Sequence, residues 1–308
     1  PIWSRRDVRR GEGSVDQILQ QLVNGASLGS VYALIALGYT MIYGIIQLIN
    51  FAHGDVYMVG AYVGYACMAH FHLGFFTSLV VAMAVCTVLG VVIERVAYKP
   101  LRKSSRIAVL ITAIGVSFLL EYTMMFFVGA DVRSYPPLPH WMQVSWHLGG
   151  VIITSLQVLI FAIAVALMIA LQLIVRRTRL GKAMRAVSQD ADAARLMGIN
   201  VNNTISFTFA LGSALAGAAG VLVAVYYNSI NPLMGMVPGL KAFIAAVLGG
   251  IGLLPGALIG GYFIGVVETF VSGTGFSTFK DAVVYALLII ILVVKPSGLL
   301  GKNEKEKV

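Results

Sequence analysis

Asn50, His53 and Asp55 make the densest polar group in the first half of the chain, and they open the apolar run NFAHGDVYMVGAYVGYACMA, Asn50 to Ala69. A helix that starts there presents N–H groups without partners and suits an anionic group; simple capping of the helix start is the competing reading. Glu121 lies about eight residues from the far end of the apolar run Ile107–Val128, hence ~12 Å deep at 1.5 Å per residue. Lys241 heads a short glycine-rich segment. A charge at the bilayer centre costs roughly 2.5–3.5 kcal/mol on insertion scales, so these groups must face protein or water. They form the candidate translocation pathway: Asn50, His53, Asp55, Glu121 and Lys241. For Glu121, a structural hydrogen bond and a pathway-lining role stand side by side. Glu94, Arg95 and Glu268 sit closer to helix ends and read as interfacial anchors.

Catalytic and metal chemistry find no support. The chain has no GxxxxGK[ST] or HExxH, and no Cys/His cluster; no catalytic residue and no metal ligand is assigned. Cys67 and Cys86 lie in apolar segments and read as buried small hydrophobes. Without a nucleotide-binding motif, transport powered by ATP requires that another chain supply the ATPase. A proton- or sodium-coupled carrier would normally bury several acids as a relay. Only Glu121 is clearly deep here, which weighs against self-powered transport.

The second chemically distinct stretch is RRTRLGKAMRAVSQDADAARLMGINVNN, Arg176 to Asn203. Five basic residues (Arg176, Arg177, Arg179, Lys182, Arg185) arrive within ten positions, followed by a short helical pattern. Ser188 or Asp190 caps its start, Asp190 and Asp192 face the positive end of the helix dipole, Arg195 the negative end, and Gly198 terminates it. Met184, Val187, Ala191 and Ala194 line up as one small apolar stripe. An amphipathic helix in a basic loop suits a docking partner; the competing reading is a solvated loop whose arginines only fix topology.

The elements that hold these groups follow from composition. At 58% hydrophobic and 11% charged residues, with a mean hydropathy of +0.87, the chain is far from the roughly 25% charge of a soluble domain. Apolar runs of ~20 residues cross a ~30 Å hydrocarbon core, and in lipid they must be helices. The fold class is therefore an all-α polytopic membrane protein. Thirty-three glycines suit close helix packing and broken helices. Of 22 Lys and Arg, four lie in residues 1–14, four in Lys99–Arg106, six in Arg176–Arg195 and four in Lys295–Val308. Such clustering is the positive-inside pattern and places these four pieces, including both chain ends, on the cytoplasmic side. The net charge of +9 thus speaks for topology rather than for nucleic acid. The apolar segment after residues 1–14 shows no small-residue cleavage site and reads as an uncleaved first span.

Parity on this frame predicts about ten transmembrane helices, with Val15–Ile49 split in two near Gly25–Gly29, or eight if the short segments are re-entrant. Residues 129–150 read as an outward loop near the headgroups. The chain divides into a cytoplasmic tail 1–14, one transmembrane domain 15–297 with the cytoplasmic loop 176–203, and a tail 298–308. Gly44–Gly64 echoes Gly249–Gly265, each a glycine-led turn, a break and a G-[AG]-Y helix. Two loosely repeated halves with broken helices meeting at midplane would follow.

NGASLGSVYALIALGYTMIYGIIQLINFAHGDVYMVGAY (Asn24–Tyr62), IERVAYKPLR (Ile93–Arg102), RLGKAMRAVSQDADAARLMGIN (Arg179–Asn200) and KAFIAAVLGGIGLLPGALIGG (Lys241–Gly261) resemble the LivH-type permease. That family is an inner-membrane subunit of the bacterial high-affinity branched-chain amino acid ABC importer, and the resemblance runs from about Val15 to the tail. It implies a LivM-like second permease, two ATPase subunits of the LivG/LivF kind carrying ATP and Mg, and a periplasmic binding protein delivering leucine, isoleucine or valine. No cofactor is implied on this chain itself, and its surroundings are the lipid of the bacterial inner membrane. Gly181–Gly198 corresponds to the ATPase-docking loop. Ala193, Ala194 and Gly198 match its small residues, and Asp192 stands where the wider "EAA" motif has glutamate. Arg179, Gly181, Arg185 and Asp190 complete the candidate coupling loop. The expectation is alternating-access import without ATPase activity in this chain. Related permeases carry urea or short amides, and a proton-coupled carrier or a non-transporting scaffold are the remaining alternatives.

Overall fold

The computed structural model describes residues 4–47, 50–102, 104–148, 150–274, 276–295 and 297–301, with the backbone alone for residues 4–14. In chain order the helices begin with α1 (Ser4–Ile46), α2 (His53–Ala69) and α3 (Phe75–Ile93), which runs on into a π-turn at Glu94–Tyr98. They continue as α4 (Arg106–Val128), the hairpin β1 (Ser145–Leu148) and β2 (Val151–Thr154), and α5 (Ser155–Arg177). Then come α6 (Arg179–Gln189), α7 (Ala191–Leu196), α8 (Val201–Tyr227), α9 (Met236–Gly249), α10 (Leu254–Ser272) and α11 (Lys280–Val294). Among the described residues, seven helices are long and apolar enough to cross a membrane. The shorter α2 and α9, each continued by a non-helical stretch, bring the passes through the bundle to nine among the described residues, close to the expected ten.

The crossing that is missing is the predicted split of Val15–Ile49: α1 is one unbroken helix, and Leu48 and Ile49 lie outside the described residues. The glycines read as a break are packing sites. A Cβ on Gly29 would stand 2.8 Å from Tyr262 Cα, and one on Gly25 2.8 Å from Val266 Cα, so α1 and α10 lie backbone to backbone. This is the small-residue contact by which membrane helices approach, since lipid offers no hydrophobic drive for association. The 32 residues of the span Val15–Ile46 amount to ~48 Å of helix, more than a bilayer needs. The surplus projects past the hairpin, where Gln20 donates to Ile152 O at 3.0 Å and accepts from Ile152 N at 2.7 Å, and Gln17 donates to Gly273 O at 3.3 Å.

That contact sets the topology. The hairpin face of the molecule holds the start of α1, the ends of α2, α4, α8 and α10, and the exposed Trp141 and Trp146. The opposite face holds α6 and α7, the Glu94–Tyr98 turn and the segment Ser297–Gly301, which is tied to the end of α9 through Leu299 N to Leu248 O at 2.7 Å. Residues 1–14 were expected on the face of the Arg176–Asn203 loop; residues 4–14 instead lie on the opposite, hairpin side, and residues 1–3 lie outside the described residues. Nine is an odd number of passes, and residues 4–14 prolong α1 beyond the hairpin face rather than forming a separate tail. The tail from 302 onward lies outside the described residues.

The core runs along α1, α2, α8, α9 and α10. Ala33–Leu37 and Ala216–Ala224 are almost wholly enclosed, whereas α4, α5 and α11 present large apolar side chains outward, as lipid-facing helices do. Within this frame α2 and α9 are incomplete spans. Gln47 at φ 55° ends α1, and α2 starts only at His53, level with Gly38, ~12 Å into the bilayer from the α1 end. Between α8 and α9 the chain turns back inward and starts α9 beside Gly54: a Cβ on Gly54 would be 3.2 Å from Gly239 Cα. Two half-helices thus begin at the same depth and run in opposite directions. The midplane break is real, but its second partner is the start of α9 at Gly235, not the Gly249–Gly265 segment of the sequence echo.

Candidate functional site

Two places carry chemistry. The first lies where the half-helices begin. Neither α2 nor α9 has a side-chain cap, and Asp55 is the only acid in either first turn. A cavity of about 160 Å³ opens there, between α1, α2, α4 and α9. Asp55, 2% exposed, accepts from the Ser117 hydroxyl on α4. Glu121, 6% exposed, lies one helical turn beyond Ser117 and faces the same cavity. Tyr39 and Phe51 complete the wall toward α1.

Of the five predicted pathway residues, the structure therefore brings together Asp55 and Glu121. Asn50 is buried below them and accepts from Tyr98 Oη at 2.8 Å, fastening the segment before α2 to the π-turn. His53 is turned into α1, over Gly38, with its ring centroid 4.7 Å from that of Tyr39. Lys241 is the clearest departure: 2% exposed, it is held by Glu268 at 2.7 Å and Asp281 at 2.6 Å, tying α9 to α10 and α11. Glu268, read as an interfacial anchor, is 4% exposed and also accepts from Tyr32 Oη at 2.8 Å. Glu94 is likewise buried and paired, with Arg102 and with Ser206 of α8. These charges belong to the internal framework, where a buried group needs a partner. Ser117 and Tyr39 escaped the sequence reading. The i, i+4 spacing of Ser117 and Glu121 was the available signal; Tyr39 left none.

The second place is the loop face. The single helix expected there is two, α6 and α7, joined at Asp190. Thr178 caps α6 by accepting from Gly181 N at 3.0 Å. Asp190 caps α7 with one oxygen that accepts from both Asp192 N and Ala193 N at 2.9 Å, so Asp190 rather than Ser188 is the cap. Gly198 closes the unit at φ +81°, a left-handed position that glycine adopts without strain. Met184, Val187 and Ala194 are buried and Ala191 half-buried, seating the pair on α1, α5 and α8. Gly181 has a steric reason to be glycine: a Cβ there would run into the carbonyls of Ile174 and Val175 at the α5 end. Arg185 donates to Val175 O, satisfying a carbonyl that the end of α5 leaves open. Arg179, Asp192, Ala193 and Arg195 point outward; Asp192 and Arg195 pair at 2.9 Å but are so exposed that the pair adds little.

What the sequence reading missed here is Leu196 and Met197, 89% and 82% exposed at the tip of α7. Two large apolar side chains at a rim of charges, away from the lipid-facing belt, form an anchor for a protein surface. Their adjacency in an otherwise polar stretch, just before Gly198, was the signal. Behind them a cavity of about 230 Å³ separates α6 from the inner ends of α1, α5 and α10, lined by Thr40, Ile45, Arg176, Met184 and Arg185.

Half-helices that meet head to head inside an apolar bundle, together with a rigid helical unit on one face, define a multi-pass membrane permease. The chain belongs to the family described as branched-chain amino acid transport system / permease component, which matches residues 21–292. It is 44% identical to the high-affinity branched-chain amino acid transport system permease protein BraD of Pseudomonas aeruginosa, over 94% of this chain and 98% of that one. It is also 44% identical to the permease protein LivH of the same kind of system in Escherichia coli, over 94% and 97%. A more distant likeness, 26% over 89% and 85%, is to the ribose import permease protein RbsC of Escherichia coli. The LivH-type resemblance read from the sequence motifs is thereby established.

Proposed function

We propose that this chain is one transmembrane subunit of an ATP-binding-cassette importer that moves leucine, isoleucine or valine into the cytoplasm by alternating access. The face bearing α6 and α7 is cytoplasmic, consistent with its six basic residues in Arg176–Arg195, and the membrane is the bacterial inner membrane. ATP and Mg are handled by two separate ATPase subunits of the LivG/LivF kind. A LivM-like permease completes the pathway, and a periplasmic binding protein delivers the amino acid at the hairpin face.

The observation that carries the reading is the Leu196–Met197 tip on a helix pair seated against α1, α5 and α8. An ATPase that grips this tip differently in its two states has a rigid lever on the helices that lead to the α2–α9 junction, and such differential contact is what coupling requires. The apolar lining of the mid-membrane cavity supports branched aliphatic cargo over urea or a sugar. In liposomes containing the full set of subunits, leucine uptake should need ATP and the binding protein and should survive a protonophore. Leu196→Asp with Met197→Asp should release the ATPases on co-purification and abolish uptake while this chain stays folded. An intact complex with unchanged uptake would refute the docking assignment, and collapse of uptake with the proton gradient would favour a secondary carrier.

A further inference from the structure

The junction cavity holds an electrostatic imbalance. Asp55 and Glu121 are both more than nine-tenths buried at the same cavity, at mid-depth of the bundle. Among the described residues neither forms an ion pair: the buried cation Lys241 is committed to Glu268 and Asp281, and Arg102 to Glu94. The Ser117 hydroxyl answers Asp55, and the partner of Glu121 among the described side chains is Asp55 itself, with which it can share a proton. The uncapped start of α9 turns a weakly positive pole toward the pair, but a helix terminus carries only about half a charge. Even with one proton shared between them, the pair carries a negative charge in a membrane interior with no cation among the described residues.

The rest of the wall limits which cation. The cavity is predominantly apolar, with Phe51, Phe118 and Leu240 beside the acids. At about 160 Å³ it is close to the ~150 Å³ cavity known to hold a benzene-sized apolar guest. The space suits a compact aliphatic group tethered to an N–H-bearing cation better than a hydrated metal ion, which demands several oxygen ligands. We propose that this cavity is the half-site that receives the ammonium group of the amino acid in transit. Glu121 and Asp55 accept its hydrogen bonds, Ser117 orients Asp55, and the aliphatic side chain lies against the aromatic wall. The assignment rests on the transport role above and deepens it, locating cargo recognition within the membrane at the point where α2 and α9 part.

The test uses the full chain in lipid nanodiscs and calorimetric titration with three probes: L-leucine, 3-methylbutylamine and 4-methylpentanoate. The amine and leucine should bind saturably and the acid should not. Glu121→Gln should weaken both by about ten- to a hundred-fold, the worth of a hydrogen bond to a charged group. Glu121→Asp should recover part of the loss, and Asp131→Asn on the exposed loop should change nothing. Asp55→Asn serves as a second variant, read only where its unfolding midpoint matches the parent. Absence of saturable amine binding to the parent chain, equal binding of the acid, or an unaffected Glu121→Gln would each overturn the proposal. So would a heat signal that follows sodium or pH and ignores the amine. Failure of the transport reading looks different: the assembled complex would not import leucine although the amine still binds.

Discussion

Replacing Lys241 by Met should destabilise the protein more than removing either of its acidic partners. The magnitude follows from who is left behind. Lys241 Nζ lies 2.7 Å from Glu268 and 2.6 Å from Asp281. Without it, the buried Glu268 keeps one Tyr32 hydrogen bond at 2.8 Å and a distant Lys280 at 3.8 Å. Stripping one partner from a buried pair costs about 3–5 kcal/mol, because the other charge stays in a poor solvent. Tyr32 and Lys280 place the expected value near the lower end. Glu268→Gln leaves Lys241 on Asp281 and keeps an acceptor for Tyr32, so its loss should be about 1–2 kcal/mol. In the double variant Lys241→Met, Glu268→Leu no charge is stranded in the bundle, since the Asp281 side chain is 44% exposed. What remains is the unpaired Tyr32 hydroxyl, roughly 1–3 kcal/mol. The order should be Lys241→Met worst, with the double variant more stable than Lys241→Met alone. Reversible unfolding in mixed micelles, followed by tryptophan fluorescence, measures all four proteins. Glu268→Gln matching Lys241→Met, or a double variant no more stable than Lys241→Met, would refute the argument that stranded charge dominates.

Other expectations test the remaining elements. Asp190→Ala removes the only side-chain cap of α7 and should lower stability by ~1 kcal/mol, seen as faster amide exchange confined to residues 191–196. Asp192→Ala, which breaks only an exposed pair, should stay within ~0.5 kcal/mol by the same fluorescence unfolding. Gly198→Ala meets no neighbour within 4 Å but must hold φ +81°. Its loss should therefore be ~1 kcal/mol of backbone strain, with coupling of ATP hydrolysis to uptake measured alongside. Gly29→Val drives a branched side chain into the Tyr262 backbone and should cost about 3 kcal/mol or more. Poor recovery of folded protein on size-exclusion chromatography would report it, and a normal yield would contradict the close α1–α10 contact.

Particular residues show where reading the chain succeeds and where it stops. Asp190, Gly198 and the stripe Met184–Val187–Ala194 were legible because caps, termini and amphipathic stripes depend on neighbours within a turn or two. The burial of Glu121 was legible from its position in an apolar run. That it shares a cavity with Asp55, 66 positions earlier in the chain, was not, because nothing local records which helix face meets which. Gly25 and Gly29 show the same limit from the other side. Glycine breaks a helix or lets one press against another, and only the presence of Tyr262 and Val266 opposite decides between them. A break at that pair would add one crossing and put the start of α1 on the opposite face; close packing against α10 keeps the helix whole.

Composition and local pattern were enough to establish the solvent of this protein, its helical class, its family motifs and the polar loop that stands apart from the bundle. Those properties are sums of per-residue transfer preferences and short-range periodicities. Tertiary structure alone decided that α1 is continuous, that α2 and α9 begin at one depth, that Lys241 pairs with Glu268 and Asp281, and that Asp55 and Glu121 share one cavity with no cation among the described residues. In a membrane a buried charge is stable only against a specific partner, and that partner is assigned by helix packing rather than by distance along the chain.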